Sequence, residues 1–151
     1  MLFRSGWAVH GILTFQTGNP FTLTLANGVN NGAPSWPNRI GSGVSSNPNP
    51  YQWYDPTAFV APPAYTFGNS ARGVLYGPGI RNLDTAISRT FSMTERVLLR
   101  FRLDCFNLSN TPHFGLPGTT INPAAAVGVV GRITSAVIDN REMQASMRIE
   151  F

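Results

Sequence analysis

Lysine is absent. All 11 basic residues are arginines, scattered from Arg4 to Arg148 without a basic run, against 7 acidic residues. The net charge of +4 is therefore diffuse, and the clustered cations of a nucleic-acid track are missing, so no nucleic-acid partner is expected. Charge of either sign is scarce, at 12 % of the chain, about half the usual share of a soluble domain. Disorder driven by charge is excluded. The single Cys105 excludes an intrachain disulfide and a cysteine-based zinc site. No apolar run approaches the ~18 residues of a membrane helix. Helical spanning is excluded, but spanning by strands is not, because alternating residues cancel in hydropathy averages. There is no internal repeat. The start, Met1-Leu2-Phe3-Arg4-Ser5-Gly6-Trp7, lacks the charged and apolar regions of a signal peptide, so either the protein is cytosolic or its true start lies upstream.

Turn formers are abundant, with Gly 15 and Pro 12 in 151 residues. Turns and extended segments suit that composition better than long helices, and the length suits one domain. Period-two alternation, the mark of a two-faced strand, recurs four times. Near residues 6–16, Trp7, Val9, Leu13 and Phe15 share one face. Near 82–91, Leu83, Ile87 and Phe91 do so, with Asp84, Ala86, Ser88 and Thr90 opposite. Near 96–106, Val97, Leu99, Phe101, Leu103 and Cys105 alternate with Arg100, Arg102 and Asp104. Near 141–151, Met143, Ala145, Met147, Ile149 and Phe151 alternate with charged and polar residues. A short turn, Ser92-Met93-Thr94-Glu95, makes the middle two an antiparallel hairpin. Gly131 to Val137 can add a short strand.

Two long segments interrupt this pattern. Residues 26–79 carry Asn30-Asn31-Gly32, Asn47-Pro48-Asn49-Pro50, Pro62-Pro63 and Gly77-Pro78-Gly79. Residues 107–138 carry Asn110-Thr111-Pro112, Gly115-Leu116-Pro117-Gly118 and Ala124-Ala125-Ala126. Structureless loops of this length are foreign to compact soluble domains. They are normal on the outer face of a membrane barrel, whose strands of about 10 residues are joined by short periplasmic turns and long extracellular loops. The fold class expected is therefore all-β, an antiparallel transmembrane β-barrel segment of about four spanning strands, incomplete on its own. The first strand rises, the second descends, the third rises and the fourth descends. Trp7, Phe91 and Phe151 come out at one level as an aromatic girdle. The alternative is a soluble sandwich with one wet face per strand.

The polar faces suit a water-filled lumen, where charges cost little. Asp84, Arg100, Arg102, Asp104 and Arg148 form its expected polar network. With a turn centred near Thr94, facing residue numbers add up to about 188. Asp84 then opposes Asp104, and Arg102 bridges the two carboxylates, which would otherwise repel. The loop aromatics Tyr51, Trp53 and Tyr54 can stack on rings of a ligand or pack the loop. No catalytic constellation stands out. His10 reads as a lumen-facing polar residue, His113 sits in a loop, and no spacing suggests a metal. No enzyme activity and no cofactor are expected.

Several segments, in order, resemble the Oar-like TonB-dependent outer-membrane receptors. They are Gly6-Trp7 through Gly11-Ile12 to Phe15-Gln16-Thr17-Gly18-Asn19-Pro20-Phe21-Thr22, then Trp53-Tyr54-Asp55-Pro56-Thr57-Ala58-Phe59 with Phe67-Gly68-Asn69. Gly77-Pro78-Gly79-Ile80-Arg81-Asn82-Leu83-Asp84 follows. Phe101 to Gly115 resembles the family's RxExFNxxNxxxFG block, with Asp104 where Glu is common and Cys105 as an unusual filler. Residues 141–151 resemble the family's last strand. The resemblance implies a large barrel around an N-terminal plug, importing bulky ligands with energy from TonB. It implies as partners outer-membrane lipid, the remainder of the barrel and plug, the TonB energy-coupling system and the barrel-assembly machinery. Met147, Ile149 and Phe151 would carry the assembly signal. Since a single-chain barrel starts at about 8 strands, the chain is expected to be the C-terminal piece of a receptor in the cell outer membrane. The rivals are an oligomeric outer-membrane pore with four strands donated per chain, and a soluble β-rich binding module.

Overall fold

Alternation of side chains across a pleated backbone gives a strand two chemically different faces, and four long strands carry this pattern. A computed structural model describes residues 6–26, 35–122 and 130–151. The Asn30-Asn31-Gly32 and Ala124-Ala125-Ala126 turns lie outside the described residues. The chain divides into two units. The first comprises Met1–Gln16, Ile80–His113 and Ile138–Phe151; the second comprises Thr17–Gly79 and Phe114–Val137.

The first unit holds β1 (Trp7–Gln16), β2 (Ile80–Ser92), β3 (Leu98–Phe106) and β4 (Glu142–Glu150). They form one antiparallel sheet in the order β1-β2-β3-β4. Register keeps parity across every pair: Val9 with Ile87, Ile87 with Leu103, and Leu103 with Ala145. One face is therefore almost wholly apolar and the other polar. The whole of β1 is exposed, as is β4 up to Met147 and Ile149. A sandwich would cover one face of these strands. The sheet is not closed into a barrel, and among the described residues nothing pairs with the outer edges of β1 and β4.

The β2–β3 register differs from the expected one. Leu98 pairs with Ser92, Arg100 with Thr90, Arg102 with Ser88 and Asp104 with Ala86. The turn is one residue longer, ending at Val97. The Thr94 hydroxyl accepts hydrogen bonds from the Arg96 and Val97 amides, and the Met93 amide donates to the Val97 carbonyl. A side chain that satisfies turn amides competes with the ladder, and this takes Arg96 and Val97 out of the strand. Because the shift is two residues, every side chain keeps its face.

The second unit corrects the expectation of structureless loops. Its core is Phe21, Leu23, Leu25, Tyr54, Ala58, Phe59, Leu75, Ile121 and Val130. Short ladders hold it: Pro20–Phe21 with Leu75–Tyr76, Thr24–Leu25 parallel to Thr120–Ile121, Asn38–Arg39 with Phe59–Val60, and Val44–Asn49 with Gln52–Tyr54. Asp55 caps the 3-10 turn Pro56–Ala58 by accepting from the Thr57 amide. Gly18 has the Gly77 carbonyl where a Cβ would stand, so only glycine permits that backbone approach. Two-residue ladders have too few positions to show a period. The partner of Thr24 lies nearly a hundred residues away, beyond the reach of local pattern.

Candidate functional site

The polar face of the sheet gathers most of the ionisable groups of the four strands. On β3, Arg102 grips Asp104: Nε donates to both carboxylate oxygens at 2.9 Å and Nη2 donates to Oδ1 at 2.7 Å. The two alternate by two on one strand, so their side chains lie side by side on the same face. Asp84 takes other partners, accepting from Asn82 Nδ2 at 2.9 Å and from the Asn107 amide at 2.8 Å. The expected bridge from Arg102 to both carboxylates is thus corrected. In the observed register Asp104 opposes Ala86, not Asp84, so the two acids do not face each other and no intervening cation is required. His10, Asp84, Arg102, Asp104 and Phe106 nevertheless line one hollow of 120 Å³ on this face.

Arg100 and Arg148 form a second cluster. Register places them directly opposite each other, which repels. The Glu150 carboxylate answers both, with Oε1 at 3.5 Å from Arg100 Nη1 and 3.3 Å from Arg148 Nε. Glu150 falls on the polar parity of β4, but which arginines it meets depends on register.

Sequence reasoning also missed a polar knot at the end of β3. Asn107 is 1 % exposed and adopts a left-handed conformation at φ 48, tolerated by Asn better than by most residues. Its Nδ2 donates to the carbonyls of Thr111 and Asp139, and its Oδ1 accepts from the Thr111 amide. Asn110, also left-handed, accepts from the Arg141 amide. Buried His113 places Nε2 2.9 Å from the Arg81 carbonyl. The signal was present in Asn107-Leu108-Ser109-Asn110, since paired asparagines after a strand suit left-handed turns.

The apolar face carries Met147, Ile149 and Phe151, all exposed. Trp7 aligns with Arg89, and Arg89 with Phe101; Phe91 aligns with Leu99, and Leu99 with Ile149. Phe151 lies two positions farther on. The three girdle rings therefore occupy successive rows rather than one. Rows run across the strands, whereas a membrane plane cuts tilted strands obliquely. Four residues of drift over three strand steps, at ~3.3 Å and ~4.8 Å each, reach one level at a tilt of about 40°, within the usual barrel range.

In the second unit the loop aromatics part company. Tyr54 is a core residue, 1 % exposed. Its ring packs edge-on against Phe59, and its hydroxyl donates to the Gly118 carbonyl at 2.9 Å. Burial pushes that phenol well above its ordinary pKa. Tyr51 is exposed, with Arg132 over its ring at 5.3 Å. Trp53 is half-buried and donates Nε1 to the Tyr76 carbonyl. Trp53, Tyr76 and Val74 edge a cavity of 260 Å³, to which Tyr54 contributes from the core side.

A family model described as an outer membrane beta barrel domain matches residues 2–144. The chain belongs to this family. No curated protein and no solved structure matches it. Membership of the outer membrane beta barrel domain family locates the chain in the outer membrane and replaces the soluble binding module considered above. It also gives the sheet's exposed faces a physical reason. In an outer-membrane barrel, apolar residues alternate outward to lipid and polar residues inward to water.

Proposed function

We propose that the chain forms part of the wall and extracellular loops of a TonB-dependent transporter barrel, a gated channel that takes up bulky ligands. One observation carries this reading: the excursions from β1 to β2 and from β3 to β4 are long, while β2 and β3 are joined by the short turn 93–97. On this reading the turn lies in the periplasm and the long segments outside, the arrangement usual for outer-membrane barrels. The ordered resemblance to Oar-like receptors supports it further. On this reading Asp84, Arg100, Arg102, Asp104 and Arg148 line the lumen. Tyr51 and Trp53 are the loop rings open to a ligand. Partners are outer-membrane lipid, the remainder of the barrel with its plug, and TonB acting through the plug. The barrel-assembly machinery reads Met147, Ile149 and Phe151 on an edge strand that templates strand addition. The proposed role is transport, without catalytic residues or cofactor.

The size of the outer-membrane species that carries this sequence tests the reading. An antibody against the 61–69 segment should detect, in outer-membrane fractions, a protein several times larger than 16.4 kDa, whose upstream part cross-links to TonB. Deleting Phe151 should remove it from the outer membrane. A species of 16.4 kDa alone, running as a multiple in mild detergent, overturns the reading. It establishes instead a ring of copies in which β4 of one pairs with β1 of the next.

A further inference from the structure

Two charges interrupt the apolar face of the sheet, and both are arginines on β2. Arg81 aligns with Phe15, and Arg89 aligns with Trp7. Along the same parity of all four strands there is no Asp or Glu among the described residues. Neither arginine can therefore be neutralised by a carboxylate on that face. Arg89 is held in a particular way. Its guanidinium lies 4.9 Å from the centroid of the Trp7 ring and 4.4 Å from that of Phe91, and Phe101 is its partner across β3. Among the described residues Arg81 has no such pair of rings.

The rings attract the cation through their π faces but offer no acceptor to its N–H groups. Among the described residues nothing accepts a hydrogen bond from the five donors of its rigid fork. In lipid a bare arginine is costly near the midplane and nearly neutral at the interface, where it reaches polar head groups. Phosphate is the anion that the guanidinium fork fits best. Trp is the side chain favoured at head-group depth.

We propose that Arg89, with Trp7 and Phe91, is a binding site for the phosphate of an anionic phospholipid in the periplasmic leaflet. This rests on the reading above, in which the apolar face meets lipid and the 93–97 turn is periplasmic. The rings fix the guanidinium in place, so little side-chain freedom is lost when the phosphate arrives. Beside the two ring faces, at head-group depth, the ion pair meets less water than in bulk solvent, which strengthens it.

Two measurements on the intact outer-membrane protein that carries this sequence separate the site from the reading beneath it. In vesicles of brominated phosphatidylcholine, the emission component removed by Trp7→Phe should be quenched. If it is not, Trp7 does not face lipid, and the reading and the site fall together. In neutral maltoside micelles, native mass spectrometry during a titration with phosphatidylglycerol should show one saturable adduct. Arg89→Gln should weaken it about ten-fold, the value of one charge-assisted hydrogen-bonded contact. Arg89→Lys should weaken it less, and Arg141→Gln should leave it unchanged. Inorganic phosphate at the same concentrations should give no adduct. Equal binding by the parent chain, Arg89→Gln and Arg89→Lys overturns the site while leaving the quenching result standing. Saturation by inorganic phosphate alone overturns it too, because the source would then be a free anion.

Discussion

The strand sheet and the loop unit are built from one chain under opposite rules. The sheet has no shared core: β1 is exposed along its whole length, and its order comes from ladder hydrogen bonds and from two faces that suit two different solvents. The loop unit has short ladders and a core, with Leu23 0 % and Tyr54 1 % exposed. Water drives the second to bury apolar groups. Lipid offers the first no such drive, so its apolar residues stay outside. The difference teaches that exposed large hydrophobic residues are a requirement of the sheet's apolar face, whereas the loop unit also exposes some, such as Tyr65 and Phe67, but owes its order to the ones it buries.

The sharpest break of that contrast is in the loop core. Phe59→Ala should cost about 3–5 kcal/mol, as a large aromatic lost from a packed interior does. Limited proteolysis should then open the 17–79 segment while β1–β4 still insert into vesicles. Equal protection in parent and variant would show that this core does not hold the unit. Leu103→Arg, opposite Ile87 and Ala145 in the middle of the apolar face, should cost about 2–4 kcal/mol of bilayer folding stability. Gln144→Arg, on the polar face opposite Asp104, should cost almost nothing. A urea titration in vesicles that ranks the two equally would refute the assignment of faces.

The third effect is confined to the loop unit and depends on pH. Tyr54 is held neutral by burial, so its folded pKa lies above the unfolded value of 10.0. Its contribution is fully present below pH 10 and is lost as pH rises further, by up to about 1.4 kcal/mol per unit. Unfolding of the 17–79 segment followed from pH 8 to 11 should show this slope, and Tyr54→Phe should remove that part of it. The same slope in both proteins would mean that Tyr54 is not the group responsible. The smallest effect belongs to the sheet. Glu150→Gln leaves Arg100 facing Arg148 and should cost only about 0.5 kcal/mol, because the groups are partly exposed. High salt should erase the difference; a loss independent of salt would point to packing instead.

Legibility followed the same division. The faces of Leu83, Leu103 and Met147 could be read because each is one of several alternating positions. The membership of Arg102 and Asp104 in one polar patch was legible for the same reason. Their pairing was not, since it turns on whether Arg102 meets Asp104 along its own strand or Asp84 across the ladder. Asn107 was visible as a motif residue but not as a hub, because its partners Thr111 and Asp139 come from separate parts of the chain. Leu23 and Ile121 gave no signal at all as members of one core.

By itself, the sequence determined the four strands, their two faces and the end of the sheet at which both long connections leave. Each follows from side-chain alternation and local turn chemistry, which act within a few residues. The β2–β3 register turned on the Thr94 hydroxyl, whose bonds to the Arg96 and Val97 amides are local but leave no period to read, and tertiary structure decided the ion pairing that depends on that register. It also decided that residues 17–79 and 114–137 pack around a core of their own, since burial rewards contacts between residues far apart in the chain and leaves no period to read.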